Sequence, residues 1–122
     1  MQSDPTILAP RHVRVVLEHE SVRVLRVRLG PGDQVPLHSH TSLVGVFVST
    51  GQVRNSVPGR GHDDLNARPG DVFWSPPVTH TTDNISGEHV EMILVELKHP
   101  LQRGKGEPAI QEPPSTPWTV TG

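Results

Sequence analysis

Three histidines hold most of the chemical potential of this chain: His38 and His40, one residue apart, and His80 further on. The 122 residues contain eight histidines and no cysteine. Imidazoles and carboxylates are therefore the available metal ligands, and disulfide staples, thiolate zinc sites and a cysteine nucleophile are excluded. In an extended strand, residues two apart emerge on the same face, so His38 and His40 can reach one ion. With so many histidines an H-x-H pair arises by chance about half the time, so the pair needs context. His80 supplies it, opening a Val- and Thr-rich segment after the turn Ser75-Pro76-Pro77, which a barrel can bring against the first two. Three imidazoles at about 2.0–2.2 Å from one ion form a facial set that leaves coordination positions open.

The elements that must position these side chains are strands. Short Val-rich runs at 13–17, 22–29, 35–40, 43–49, 52–57, 71–74, 80–84 and 90–97 alternate with turn residues, and no stretch has a helical period. Gly30-Pro31-Gly32-Asp33, Pro58-Gly59-Arg60-Gly61 and Arg68-Pro69-Gly70 carry turn chemistry. Spacing of about eight to twelve residues between such runs belongs to a sandwich or barrel. The reading is an all-β, single-domain barrel over 12–98, preceded by an N-terminal arm, 1–11, and followed by a Pro-rich C-terminal arm, 99–122. Five prolines bar regular structure from that last arm, yet Trp118-Thr119-Val120 near its end has β-type, partly apolar residues, suited to packing on the barrel or on a partner subunit.

Charge narrows the partners. Eleven Lys and Arg against 13 Asp and Glu give a formal charge of -2, too balanced to favour a phosphate backbone or an anionic membrane. No apolar run approaches the roughly 18 residues of a membrane helix, and the first ten residues lack a basic start followed by an apolar stretch. The expectation is a cytoplasmic protein that binds neither nucleic acid nor membrane.

The arrangement of motifs resembles the cupin superfamily. Its first motif is a glycine, five residues, H-x-H, three or four residues, a glutamate, six residues and a glycine; Gly32, His38, His40 and Gly51 fall at that spacing, with Val44 in the place of the glutamate. The second motif, a glycine, a turn with proline, a histidine, three residues and an asparagine, is matched by Gly70, the Pro76-Pro77 turn, His80 and Asn84. The usual inner glycine is replaced by Pro77 or Val78. The stretch looks like the small stand-alone cupins that carry Val-Arg-Val-Leu before the first motif and end on Val-Glu-Leu-Lys, here at 22–25 and 95–98. The resemblance covers about residues 12–98. It implies an antiparallel double-stranded jelly-roll barrel with one divalent ion inside, iron preferred over manganese, nickel or zinc.

Without the motif glutamate, three neutral imidazoles would leave the ion doubly positive and receptive to an anionic substrate. Gln34, on the same strand parity as His38 and His40, is the first candidate for a replacement fourth ligand. Asn84 reads as a turn or backbone-capping residue, and the other histidines, at 12, 19, 62, 89 and 99, as surface residues at strand ends and loops, His62 beside Asp63 and Asp64 in a loop. Phe73 and Trp74 read as core or pocket lining. One of Arg23, Arg26 and Arg28 could point into the barrel, though solvated strand faces explain them equally. The expected function is a metal-dependent enzyme on a small, anionic organic molecule, with oxygenase-type chemistry first. A metal-assisted isomerase, lyase or cyclase, or a non-enzymatic small-molecule-binding cupin, is the alternative. Small cupins resemble one another in pairing through sheet edges, which implies a homodimer.

Overall fold

Alternation of inward and outward residues, interrupted by bulges between Val15 and Leu17 and between Val35 and His38, decides the architecture. The computed structural model describes residues 3–98 and, for the backbone, 119–121. After a short helix, α1 (Pro5–Leu8), come β1 (Val13–Glu18), β2 (Val22–Leu29), β3 (Gln34–His40), β4 (Leu43–Phe47), β5 (Gly51–Val57), β6 (Gly61–Ala67), β7 (Val72–Ser75), β8 (Val78–Asn84), β9 (Val90–Leu97) and β10 (Thr119–Thr121). They form an antiparallel double-stranded jelly roll: a six-stranded sheet in the order β1-β2-β9-β4-β7-β10 faces a four-stranded sheet in the order β3-β8-β5-β6. β9 shows the rule most cleanly, with Val90, Met92, Leu94 and Glu96 buried and their neighbours half-exposed. The period of two gives each sheet one face for the core and one for water.

Between the sheets pack Leu25, Val27 and Leu29 of β2, Phe47 of β4, Phe73 of β7, and Val35 and Val53 of the smaller sheet. Phe47 and Phe73 meet with ring centroids 5.1 Å apart, within the preferred range for an aromatic pair. Gly45 makes that contact possible, since a Cβ there would lie 2.1 Å from the Phe73 ring. Gly32 and Gly70 turn with φ of 79° and 89°, a left-handed conformation that glycine adopts without steric penalty.

Two elements differ from the sequence expectation. His62, Asp63 and Asp64 lie not in a loop but in β6, paired residue for residue with β5. β6 is an edge strand, and charged side chains on an edge discourage further strand addition while masking the apolar signature of a strand. The N-terminal arm contains α1, capped by the Asp4 carboxylate, which accepts from the Thr6 amide at 2.9 Å. Residues 99–118, with Trp118, lie outside the described residues, but the backbone of β10 pairs with β7 of the same chain. Among the described residues no helix is long and apolar enough to cross a membrane.

Candidate metal centre

His38, His40 and His80 converge inside the barrel. Antiparallel pairing of β3 with β8 sets His38 directly opposite His80, and His40 shares the inward face two residues on. All three are buried. Ring centroids lie 4.8 Å apart for His38 and His40, 4.5 Å for His38 and His80, and 5.6 Å for His40 and His80. One ring nitrogen of each lies within 4.8 Å of its counterparts on the other two.

Gln34 is not among them. It is exposed and donates to Asp83 on the outer face at 2.8 Å. The parity argument that placed it inward fails at a bulge: Val35 pairs with Thr82 and His38 with His80, so two residues of β3 oppose one of β8. Pro36 sits in that bulge, where its missing N–H breaks no ladder bond. The bulge also orients a ligand. The His38 Nδ1 donates to the Pro36 carbonyl at 2.6 Å, and a carbonyl can only accept, so the neutral ring has its lone pair on Nε2.

Val44 is not in the site either. The inward residues of β4 are Leu43, Gly45 and Phe47, and Val44 faces the other way beside Trp74. The carboxylate of the site comes from elsewhere. Glu96 on β9 crosses from the opposite sheet and accepts from His40 Nδ1 at 2.6 Å. Because a carboxylate also only accepts, His40 carries a proton on Nδ1, which in the neutral ring leaves the lone pair on Nε2. Glu96 is held in turn by Arg23 Nε at 2.8 Å, and the Arg23 guanidinium reaches Asp4 at 2.8 and 3.3 Å. Of the three arginines of β2, Arg23 is therefore the one that turns inward, while Arg26 and Arg28 are exposed.

The electrostatics suit a cation. Burial, reinforced by the neighbouring His40, lowers the pKa of His38 to about 4. Burial, reinforced by His38 and His40, lowers that of His80 to about 2. Both imidazoles are thus neutral near pH 7, the form that binds metal. Burial alone would raise Glu96, but the hydrogen bonds from His40 and Arg23 outweigh it and hold the carboxyl below its usual range. Asp4 follows the same balance: burial raises it, the bonds from Arg23 and Thr6 lower it further, and it settles at about 2.

The other expected residues are structural. Asn84 donates to the carbonyls of Leu29 and Glu88 at 3.0 and 2.7 Å and accepts from the Ser86 amide at 3.0 Å, which closes the turn before β9. Phe73 is core, whereas Trp74 lies half-buried on the outer face. His12, His19, His62 and His89 stay at the surface or in turns, and His99 lies outside the described residues.

No family model and no curated protein matches the chain. Solved structures do. A cupin domain from Bordetella pertussis Tohama I is 26% identical with a TM-score of 0.67, over 71% of this chain and 92% of its own. A cupin-family protein with a double-stranded β-helix fold from Methanocaldococcus jannaschii is 17% identical with a TM-score of 0.59, over 70% of this chain and 77% of its own. An oxalate decarboxylase variant from B. subtilis is 23% identical with a TM-score of 0.53, over 70% of this chain but 24% of its own.

Proposed function

We propose that this protein, a chain with the cupin fold, is a metal-dependent enzyme acting on a small, anionic organic molecule, with oxygenase-type chemistry first. The observation that carries this reading is the meeting of His38, His40 and His80 inside the barrel. The donor set fits a divalent ion: three buried imidazoles, two of them with Nδ1 fixed as a donor by an acceptor-only group. An ion held there, iron first and manganese, nickel or zinc after it, supplies Lewis acidity and, for the redox metals, one-electron chemistry with dioxygen.

The chain's own residues set what that ion can accept. Glu96 and Asp4 bring two negative charges and Arg23 one positive, so the network adds a net charge of about -1 and a divalent ion beside it keeps a positive surplus. An anionic substrate matches that surplus. The walls are largely apolar, with Asn55, Ser75 and Thr82 as further polar residues around the cavity; Thr82 is already committed, donating to Asn55 at 2.8 Å. Among the described residues lining the cavity none besides the three histidines is an acid or base, and Glu96 behind them is committed to His40 and Arg23, so the reaction would rest on the ion itself. An isomerase, lyase or cyclase needs no more than that.

The alternative is a non-enzymatic small-molecule-binding cupin; the cavity measures about 30 Å³, room for two or three waters at about 10–15 Å³ each, so substrate or ligand alike requires the barrel to open.

Elemental analysis of the purified full chain, then oxygen uptake with candidate carboxylic and enolic substrates, separates these readings. Stoichiometric iron with substrate-dependent uptake is the expected result; zinc with no uptake removes oxygenation. His38→Ala, His40→Ala and His80→Ala should each lose most bound metal, since two imidazoles make a poor divalent site. Full occupancy in two of the three would sink the metal assignment.

A homodimer is proposed as well, supported by β1, an edge strand that exposes Val15, Val16 and Leu17. Light scattering at the mass of one chain would refute it.

A further inference from the structure

Residues 3–8 lie over the metal centre and are tied to it three times. The Ser39 amide, between the two β3 histidines, donates to the Ser3 carbonyl at 2.8 Å. The Pro5 side chain is fully buried and lines the same cavity as the three imidazoles. Asp4 grips Arg23 with two hydrogen bonds, and Arg23 grips Glu96, which holds His40. The chain of hydrogen bonds runs from surface to interior: the side chains of Asp4, Arg23, Glu96 and His40 are 29%, 20%, 6% and 5% exposed.

We propose that Glu96 is the positioning residue that aims His40 at the metal, and that Asp4 and Arg23 couple it to residues 3–8, which act as a cap governing how fast the metal and its ligands exchange. The inference rests on reading the three histidines as ligands.

The physical argument has two parts. Glu96 and Arg23 are cross-strand partners on β9 and β2, so the carboxylate cannot reach His40 Nδ1 with both oxygens engaged unless Arg23 is also turned inward. Asp4 keeps it there by satisfying the outer edge of the guanidinium. The second part is volume. A cavity of about 30 Å³ admits no organic molecule, and Pro5 belongs to a helix of only four residues, much less costly to lift than any wall strand. Lifting it breaks the Asp4–Arg23 pair and loosens Glu96, so opening the cavity and relaxing the ligand set are one event.

The test uses the full chain loaded with Co²⁺, whose visible absorption reports coordination, and a chelator that extracts it. In Glu96→Gln the amide offers one acceptor to two donors, His40 Nδ1 and Arg23 Nε; metal affinity should fall about 10–100-fold and the ¹⁵N signature of His40 should lose its fixed Nδ1–H form. Asp4→Asn keeps an N-cap acceptor for Thr6 but removes the charge facing Arg23; extraction should speed up about two- to fivefold while the folded spectrum is kept. Arg54→Ala, which breaks an ion pair on the outside of the smaller sheet, should leave extraction unchanged. If Glu96→Gln does not fold, Asp4→Asn decides. A parent that binds Co²⁺ while Asp4→Asn and any folded Glu96→Gln release it at the parental rate overturns the cap and the positioning role. A parent that binds no Co²⁺ overturns the metal reading itself.

Discussion

Two ion pairs of similar length sit on different sheets of this barrel, one on the outer face of the smaller sheet and one on the inner face of the larger. Outside, on the β5–β6 hairpin, Arg54 meets Asp64 at 2.8 and 3.0 Å. Inside, Glu96 meets Arg23 at 2.8 Å and His40 at 2.6 Å. Distance does not tell them apart; surroundings do. Water screens the first pair and solvates each partner when the other is removed. In the second, Glu96 and His40 are buried from water, so a deprived partner keeps its charge or its donor with little to stabilise it. The difference teaches that the interior network is held together by the penalty for breaking it, which makes it suited to fixing the geometry of a ligand.

Glu96→Ala should break this contrast most strongly. It strips Arg23 of its inner partner and leaves His40 Nδ1 buried without an acceptor, a change that costs about 3–5 kcal/mol when one member of a buried pair is removed. Asp4 still faces Arg23, so the lower end is expected. For a domain of this size about 1 kcal/mol moves the melting temperature by roughly 4–8 °C. A midpoint lowered by less than about 3 °C would place the network in the same class as the outer pair.

Acid sharpens the same comparison. In the metal-free protein His38 and His80 are lowered from 6.5 to about 4 and about 2. Between those values and 6.5 they are neutral when folded and protonated when unfolded, so the unfolded chain binds more protons and stability falls as pH falls. Each should contribute a slope approaching about 1.4 kcal/mol per pH unit. Both act from about pH 6.5 to 4; below that His80 continues, joined by Asp4 and Glu96, whose lowered carboxyls act in the same direction. Denaturant titrations of chelated protein at pH 7, 6 and 5 would measure the slope. A flat line would mean that the imidazoles are open to solvent. Saturating metal should raise stability over the whole range by mass action.

Arg54→Ala should move neither midpoint nor metal content, because an exposed pair of this kind commonly contributes nothing measurable. A clear loss of stability would show that the hairpin depends on that contact and would erase the contrast.

How much of this was legible beforehand depends on where the period of two holds. The strands, the shared face of His38 and His40, and the turn before His80 follow from alternation and turn residues. Gln34 was misplaced because Pro36 shifts the parity of β3 by one residue, and a bulge is not visible in alternation alone. β6 was hidden by His62, Asp63 and Asp64, which an edge strand tolerates. Glu96 was missed although its parity was readable: Val90, Met92 and Leu94 turn inward, so Glu96 must too, and the same count from Leu25 turns Arg23 inward. Opposite charges on the inward parity of neighbouring strands are a sequence pattern that could have located the network.

Val44 makes the finest test of that point. Spacing to Gly51 puts it where the cupin motif has a glutamate, but alternation along β4 turns Leu43, Gly45 and Phe47 inward and Val44 outward, across from Trp74 and Val95. A glutamate at 44 would therefore sit on the far side of the sheet from the imidazoles. Val44→Glu should lower stability by up to about 1 kcal/mol, the range of β-propensity on a half-buried strand face, and leave metal affinity at the parental value. Isothermal titration with Zn²⁺ on both proteins measures it. Tighter binding in the variant would mean that β4 can shift by one residue to present position 44 to the cavity. Such a shift would turn Phe47 out of the core and Gly45 away from Phe73, and the melting temperature of the variant would reveal it by a far larger loss.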